Sequence, residues 1–323
     1  MGKRPLGCFS FQKVFAMRRC PMLRFAAAAF VLAAPACAAP APAAKVDRIV
    51  AFGDSYADSG NIFRIAGVSP PPMYPKGRFS DGTNFVDTMG SILKVPIANF
   101  ALGGAVTGPG DSDFRPAGLD VQTAAFLSGR GPLGFPRTTG RFSAGDLVVL
   151  SIGGNDARRF EKGFGKAPAP AQVEAAVAAA PAAADRSAAN AVRALESLAK
   201  AGARNILFLG GDVGRLPEVK GTAVATIGSA FSNRYNREMR KALARMSERG
   251  IAARYVDLDA LAERVEASPA AFGLAGAGAC PQACLRDPAL ARRYLFHPDK
   301  LHFTAAGYAI IGRYAVEQLS RRP

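Results

Sequence analysis

Short apolar runs alternate with longer polar or mixed stretches along this chain, and that alternation predicts its fold. Five runs read as strands: Arg48 to Phe52, Ile97 to Ala101, Leu147 to Ile152, Asn205 to Leu209 and Ala253 to Leu258. Between the fourth and fifth, Gly228 to Arg249 carries an apolar face and many charges and predicts a helix. Alanine-rich Gln172 to Ala184 and Asp185 to Ala201 predict one or two more, interrupted at Pro181. Strands separated in this way by helical or irregular stretches predict an α/β domain whose parallel sheet has helices on both faces. Lys166 to Pro170, with its Ala-Pro repeat, reads as a surface linker inside the domain. The irregular segments Ile62 to Phe79 and Gly108 to Phe142 read first as packed loops and second as walls of a site.

The first 44 residues have a different pattern. Six basic side chains and no acid precede residue 25, Phe25 to Ala36 is apolar but too short to span a bilayer, and Ala36-Cys37-Ala38 or the Ala-Pro tract after it offers small-residue cleavage sites. Residues 1–44 are therefore expected to be an export signal, with translation starting at Met1, Met17 or Met22, and residues 45–323 a single domain in a secreted or periplasmic protein. A lipoprotein anchored at Cys37 is the second reading, because Ala34-Pro35-Ala36 lacks the usual leucine. Export changes the cysteine count. Cys8, Cys20 and Cys37 leave with the signal, and Cys280 and Cys284 are expected to form a short disulfide stapling the loop Gly276 to Arg286. It also changes the charge. The whole chain carries +16, and from residue 45 on 35 basic face 25 acidic side chains, a balance suited to peripheral contact with anionic membranes or polymers as well as to a merely basic surface.

Candidate chemistry lies at the ends of the predicted strands. The first stops at Gly53-Asp54-Ser55, and ligands gather at the carboxyl ends of such strands. The second and third lead into Gly103-Gly104-Ala105 and Gly153-Gly154-Asn155-Asp156, where glycine lets backbone N–H groups approach a ligand and asparagine adds an amide donor. Near the other end, Asp299-Lys300-Leu301-His302 supplies the carboxylate and imidazole that a serine needs for activation. Each fragment alone reads equally as an ordinary turn; the set in order is what carries weight.

With these four segments the chain resembles the GDSL esterase/lipase family, the SGNH hydrolases, from about residue 47 to about residue 318. Gly77-Arg78-Phe79-Ser80-Asp81-Gly82, Ala201-Gly202-Ala203-Arg204 and Leu301 to Tyr308 extend the resemblance, which leans toward bacterial phospholipase/lecithinase-like enzymes and plant GDSL lipases. It implies a three-layer flavodoxin-like fold with a central, mostly parallel five-stranded sheet, and a cofactor-free, metal-free hydrolase of carboxylic esters, a lipid or phospholipid leading among substrates. It also implies roles: Ser55 as nucleophile, His302 as base, Asp299 as its orienter, and the Ser55 and Gly104 amides with Asn155 as oxyanion donors. An acyltransferase, a carbohydrate deacetylase and a silent basic binding module are the alternatives. The family commonly has Trp before the Asp and Pro after the His, where this chain has Pro298 and Phe303. These departures bear on substrate rather than on the reacting groups.

One competing pattern is Cys280-x3-Cys284-x12-His297-x4-His302, spaced like a zinc finger in a basic chain. Pro298 directly after His297 disfavours a helix there, and export favours oxidised cysteines, so no nucleic-acid partner is expected and His297 reads as a structural or pocket-rim residue.

Overall fold

Five parallel strands lie side by side in the computed structural model, in the order β2-β1-β3-β4-β5. The structure describes residues 45–67, 74, 77–109 and 118–320, all within the unit Pro42–Pro323; the predicted export signal lies outside the described residues. In chain order the elements are β1 (Arg48–Gly53), α1 (Asn61–Ala66), α2 (Phe85–Leu93), β2 (Ile97–Asn99), α3 (Leu119–Ser128), β3 (Asp146–Ser151), α4 (Gly154–Lys162), α5 (Pro170–Lys200), β4 (Asn205–Gly210) and α6 (Ala223–Glu248). Then come β5 (Ala252–Asp257), α7 (Leu258–Ala267), β6 (Gly276–Ala279), α8 (Pro288–Ala291), β7 (Tyr294–Phe296) and α9 (Ala305–Leu319), with β6 and β7 forming a small parallel pair of their own. Each expected strand is present within a residue or two.

The strand order is the flavodoxin-like one, which reverses direction between β1 and β3. Successive residues of β1, β3 and β4 are buried, so both faces of the sheet are covered. One layer has α5 packed along α6 with α3 and α4 beside them; the other has α2 packed on α9 with α7. Phe52 stacks on Phe100 in the core, and Phe126 meets both rings edge-on. An ion pair between Arg48 and the buried Asp146 aligns the opposite ends of β1 and β3.

Three expectations change. Pro181 does not interrupt its helix: α5 runs unbroken from Pro170 to Lys200. A proline inside a helix costs ~3 kcal/mol locally, but Ala176, Ala180, Ala184 and Ala188 form a buried stripe across the site, while Pro181 faces solvent. Packing on both sides of the proline outweighs the lost backbone bond. The irregular segments also contain helices, α1 in the first and α3 in the second. Both are short, and α3 is amphipathic only weakly, so their apolar pattern carried little helical signal. Pro170 of the expected linker is the first residue of α5, where its missing N–H costs nothing. Among the described residues no helix is long and apolar enough to cross a membrane.

Candidate active site

Ser55 follows β1 at the point where the strand order reverses. Gly53 ends the strand at φ 141°, and a side chain there would collide with the Ser151 carbonyl of β3. The Gln122 side chain clamps its peptide from above, accepting from Gly53 N at 2.8 Å and donating to Gly53 O at 2.7 Å. Asp54 N then donates to Ser151 O at 3.1 Å, and Tyr56 N donates to the Asp54 carboxylate at 3.1 Å, so the chain turns sharply at Ser55. Burial pushes the Asp54 carboxyl up to about 7.

His302 arrives from the other end of the chain on a tight turn after β7. His297 N donates to His302 O at 2.8 Å, Lys300 N donates to His297 O at 2.9 Å, and Lys300 sits at φ 63°. Inside the turn, Asp299 Oδ1 accepts the Leu301 and His302 amides at 3.0 Å each, and Asp299 Oδ2 lies 2.7 Å from His302 Nδ1. His302 Nε2 lies 2.9 Å from Ser55 Oγ. Burial raises the Asp299 carboxyl, but the hydrogen bond and charge of His302, the Tyr74 hydroxyl and the Leu301 amide together hold it well below the ordinary carboxylate range. Asp299 is therefore ionised at neutral pH. The imidazole is held by Phe79, whose ring centre is 5.1 Å away, and by Tyr56, whose hydroxyl donates to Leu301 O at 3.0 Å.

The loop that carries Gly104 is tied to Asn155 through Ala105. Gly104 adopts φ 79° in a loop whose neighbour Gly103 donates its amide to Asp58 Oδ2 at 2.7 Å. Asn155 Nδ2 donates to Ala105 O at 2.9 Å, which fixes the amide and leaves its second N–H for a ligand. Asp156 accepts from the Thr107 amide and hydroxyl and from Ser187 Oγ, tying the same loop to α4 and α5. Asp58 also accepts the Gly60, Asn61 and Ile62 amides and so caps α1. Asp156 stood in the quoted Gly153-Gly154-Asn155-Asp156 segment without a role, and Asp58 follows Ser55 by three residues; an acid within one turn of a Gly-containing strand end was the available signal. Tyr74 and Gln122 carried none, because their partners are distant in sequence.

A cavity of about 120 Å³ opens beside Ser55. Ser55 and Asn155 line it, with Ile152, Leu216, Phe231 and Phe296 among its apolar walls. Phe303 stacks on Phe296 at 4.4 Å and lines it too, so a residue that departs from the common pattern bears on its shape. No described residue of Ile62 to Phe79 or Gly108 to Phe142 lines this cavity; Tyr74 and Phe79 instead pack on His302.

The zinc-like set is divided among separate partners. Cys280 and Cys284 are joined in a disulfide beside Ala291, His297 Nε2 lies 3.1 Å from Asp81 Oδ1, and His302 faces Ser55. His297 is 2 % exposed and packs edge-on against Tyr74, a structural position.

Residues 49–315 match the family described as GDSL-like Lipase/Acylhydrolase. The thermolabile hemolysin of Vibrio parahaemolyticus is 26% identical over 123 residues, covering 37% of this chain and 27% of that protein. Acetylajmalan esterase of Rauvolfia serpentina is 31% identical over 97 residues, covering 26% of this chain and 25% of that protein. The matched stretches thus span about a quarter of these curated relatives. Among solved structures, a lipase from a goat rumen metagenome superimposes with a TM-score of 0.48 at 12% identity, covering 86% of this chain and 99% of that one.

Proposed function

This chain belongs to the GDSL-like lipase/acylhydrolase family, and we propose that it is an exported serine hydrolase of carboxylic acyl esters, lipid esters first among them. The observation that carries the reading is the unbroken hydrogen-bonded line from Ser55 Oγ through His302 to Asp299 Oδ2. A serine hydroxyl is a weak nucleophile; with His302 Nε2 in reach, its proton passes to the imidazole as Oγ attacks the ester carbonyl. Asp299 keeps Nδ1 protonated in the resting enzyme and stabilises the imidazolium that forms. The tetrahedral oxygen, now negative, is met by the Ser55 and Gly104 amides and the free N–H of Asn155. His302 returns the proton to the leaving alcohol, and water attacks the acyl-enzyme by the same route in reverse. No cofactor enters any step.

The apolar walls of the cavity beside Ser55 support an acyl chain rather than a sugar as the group held there. Basic, apolar and small residues in succession over residues 1–44 support export, and the Cys280–Cys284 disulfide fits an oxidising destination.

The test is labelling with a fluorophosphonate, mapped by mass spectrometry on the folded protein. An adduct on Ser55 that is lost in His302→Ala is the expected result; folded protein with Ser55 unlabelled overturns the reading. A second expectation concerns the oxyanion. Asn155→Ala should lower kcat by roughly 10²–10³ with little change in KM, because the donor acts on charge present only in the transition state. Steady-state kinetics on a p-nitrophenyl ester measure it, and near-full turnover would remove Asn155 from that role.

A further inference from the structure

The hydroxyl of Tyr74 donates to Asp299 Oδ2, the same oxygen that receives His302 Nδ1, and lies 3.2 Å from Nδ1 itself. Tyr74 is 4 % exposed, and its ring stands edge-on to both histidines, 5.4 Å from His302 and 5.0 Å from His297. Asp299 consequently has two donors on each oxygen: the Leu301 and His302 amides on Oδ1, and His302 Nδ1 with Tyr74 on Oδ2. A carboxylate offers about four acceptor positions, so this one is saturated. The amide pair alone fixes Oδ1 but leaves Oδ2 held only by the imidazole it is meant to orient; among the described residues Tyr74 is the one side chain outside the turn that anchors it.

We propose that Tyr74 is a positioning residue for the reaction, its hydroxyl fixing Asp299 Oδ2 against His302 and tempering the pull of the carboxylate on the Nδ1 proton. This rests on the catalytic reading of Ser55, His302 and Asp299. Burial, and then the Asp299 charge, raise the Tyr74 hydroxyl far above its ordinary value, so it stays a donor throughout the working range. The other titratable groups facing the pair are His297, whose ring centre stands 5.0 Å from that of Tyr74, Asp81, which is paired with His297, Tyr56, which donates to Leu301 O, and Tyr308, which packs edge-on against Tyr56. None of these hydrogen-bonds to Asp299 among the described residues, so Tyr74 is the donor that adds to the turn's own hold on the carboxylate.

Tyr74→Phe removes the hydroxyl and keeps the ring between the two histidines. Without that donor, Asp299 favours the protonated imidazole more strongly but is less well oriented. The acidic limb of kcat/KM against pH should move up by about half a unit, and kcat should fall about tenfold with KM unchanged, the scale of one hydrogen bond to a charged group. In an Asp299→Asn background the same change should cost less than about twofold, since the group it acts through is gone. A loss of kcat with an unshifted pH profile and full additivity with Asp299→Asn would make Tyr74 merely structural and overturn the proposal, as would a variant kinetically identical to the parent. Asp299→Asn by itself separates the two levels: if it is fully active the catalytic reading fails, whereas if it is crippled and Tyr74→Phe is silent only the role of Tyr74 fails. Melting temperatures of the three variants, expected within a few degrees of the parent, establish that each is folded.

Discussion

Ser55→Ala is expected to lower kcat by roughly 10⁴–10⁶ while leaving the fold intact. The change deletes one oxygen whose hydrogen-bonded partner is His302 Nε2, and it removes no packing, since Ser55 lines the cavity rather than filling the core. The backbone of the turn is held by Gly53, Asp54 and Tyr56 contacts that the substitution does not touch. What remains is hydrolysis by water in a site that still has its proposed oxyanion donors, hence an expected residual rate well above background. His302→Ala should be about as severe, and the double variant scarcely worse than either alone, because nucleophile and base act as one unit. Turnover of a chromogenic ester at saturating concentration, read beside a thermal melt, checks all three. Retention of a tenth of the parent rate in Ser55→Ala would mean that another group attacks the ester.

Asp299→Asn is expected to cost about 10⁴ in kcat. The carboxamide keeps the shape of the side chain and can still accept the Leu301 and His302 amides through one oxygen. Facing Nδ1, however, it either presents an N–H, which favours the tautomer with its proton on Nε2 and destroys the base, or a neutral oxygen that stabilises the imidazolium poorly. A stability signature accompanies the loss. A carboxyl held below its unfolded value near 3.8 contributes stability that is present above that value and lost as pH falls through the lower, folded one. The parent should therefore lose stability between about pH 5 and the strongly acid range, and Asp299→Asn, lacking the charge, should show a flatter profile there. Denaturant melts at a series of pH values measure the difference. A variant with parental kcat would show that the imidazole needs no carboxylate behind it.

The strands and the four motif segments were legible in the sequence because both signals are local. A parallel strand buried on two faces is a short apolar run whatever surrounds it, and Gly53-Asp54-Ser55, Gly104, Asn155 and Asp299-x-x-His302 are each contiguous. The helix through Pro181 was misjudged for the complementary reason: a local breaker is a strong local signal, while the alanine stripe packed on α6 that overrides it belongs to the contact between two helices.

The sequence by itself determined that this chain builds an α/β sheet with a serine, an asparagine, a histidine and a carboxylate at turns of the kind found at strand ends. Only the tertiary structure decided that His302 Nε2 reaches Ser55 Oγ across 247 residues of chain, that Gln122 and Asp58 hold the flanking loops, and that Tyr74 rather than any motif residue closes the coordination of Asp299. The reason is physical. A turn or a strand is specified by φ/ψ preferences and burial within a few residues, whereas the partner of a buried polar group is whatever the packed layers bring within hydrogen-bond distance, and a single misplaced layer would change it.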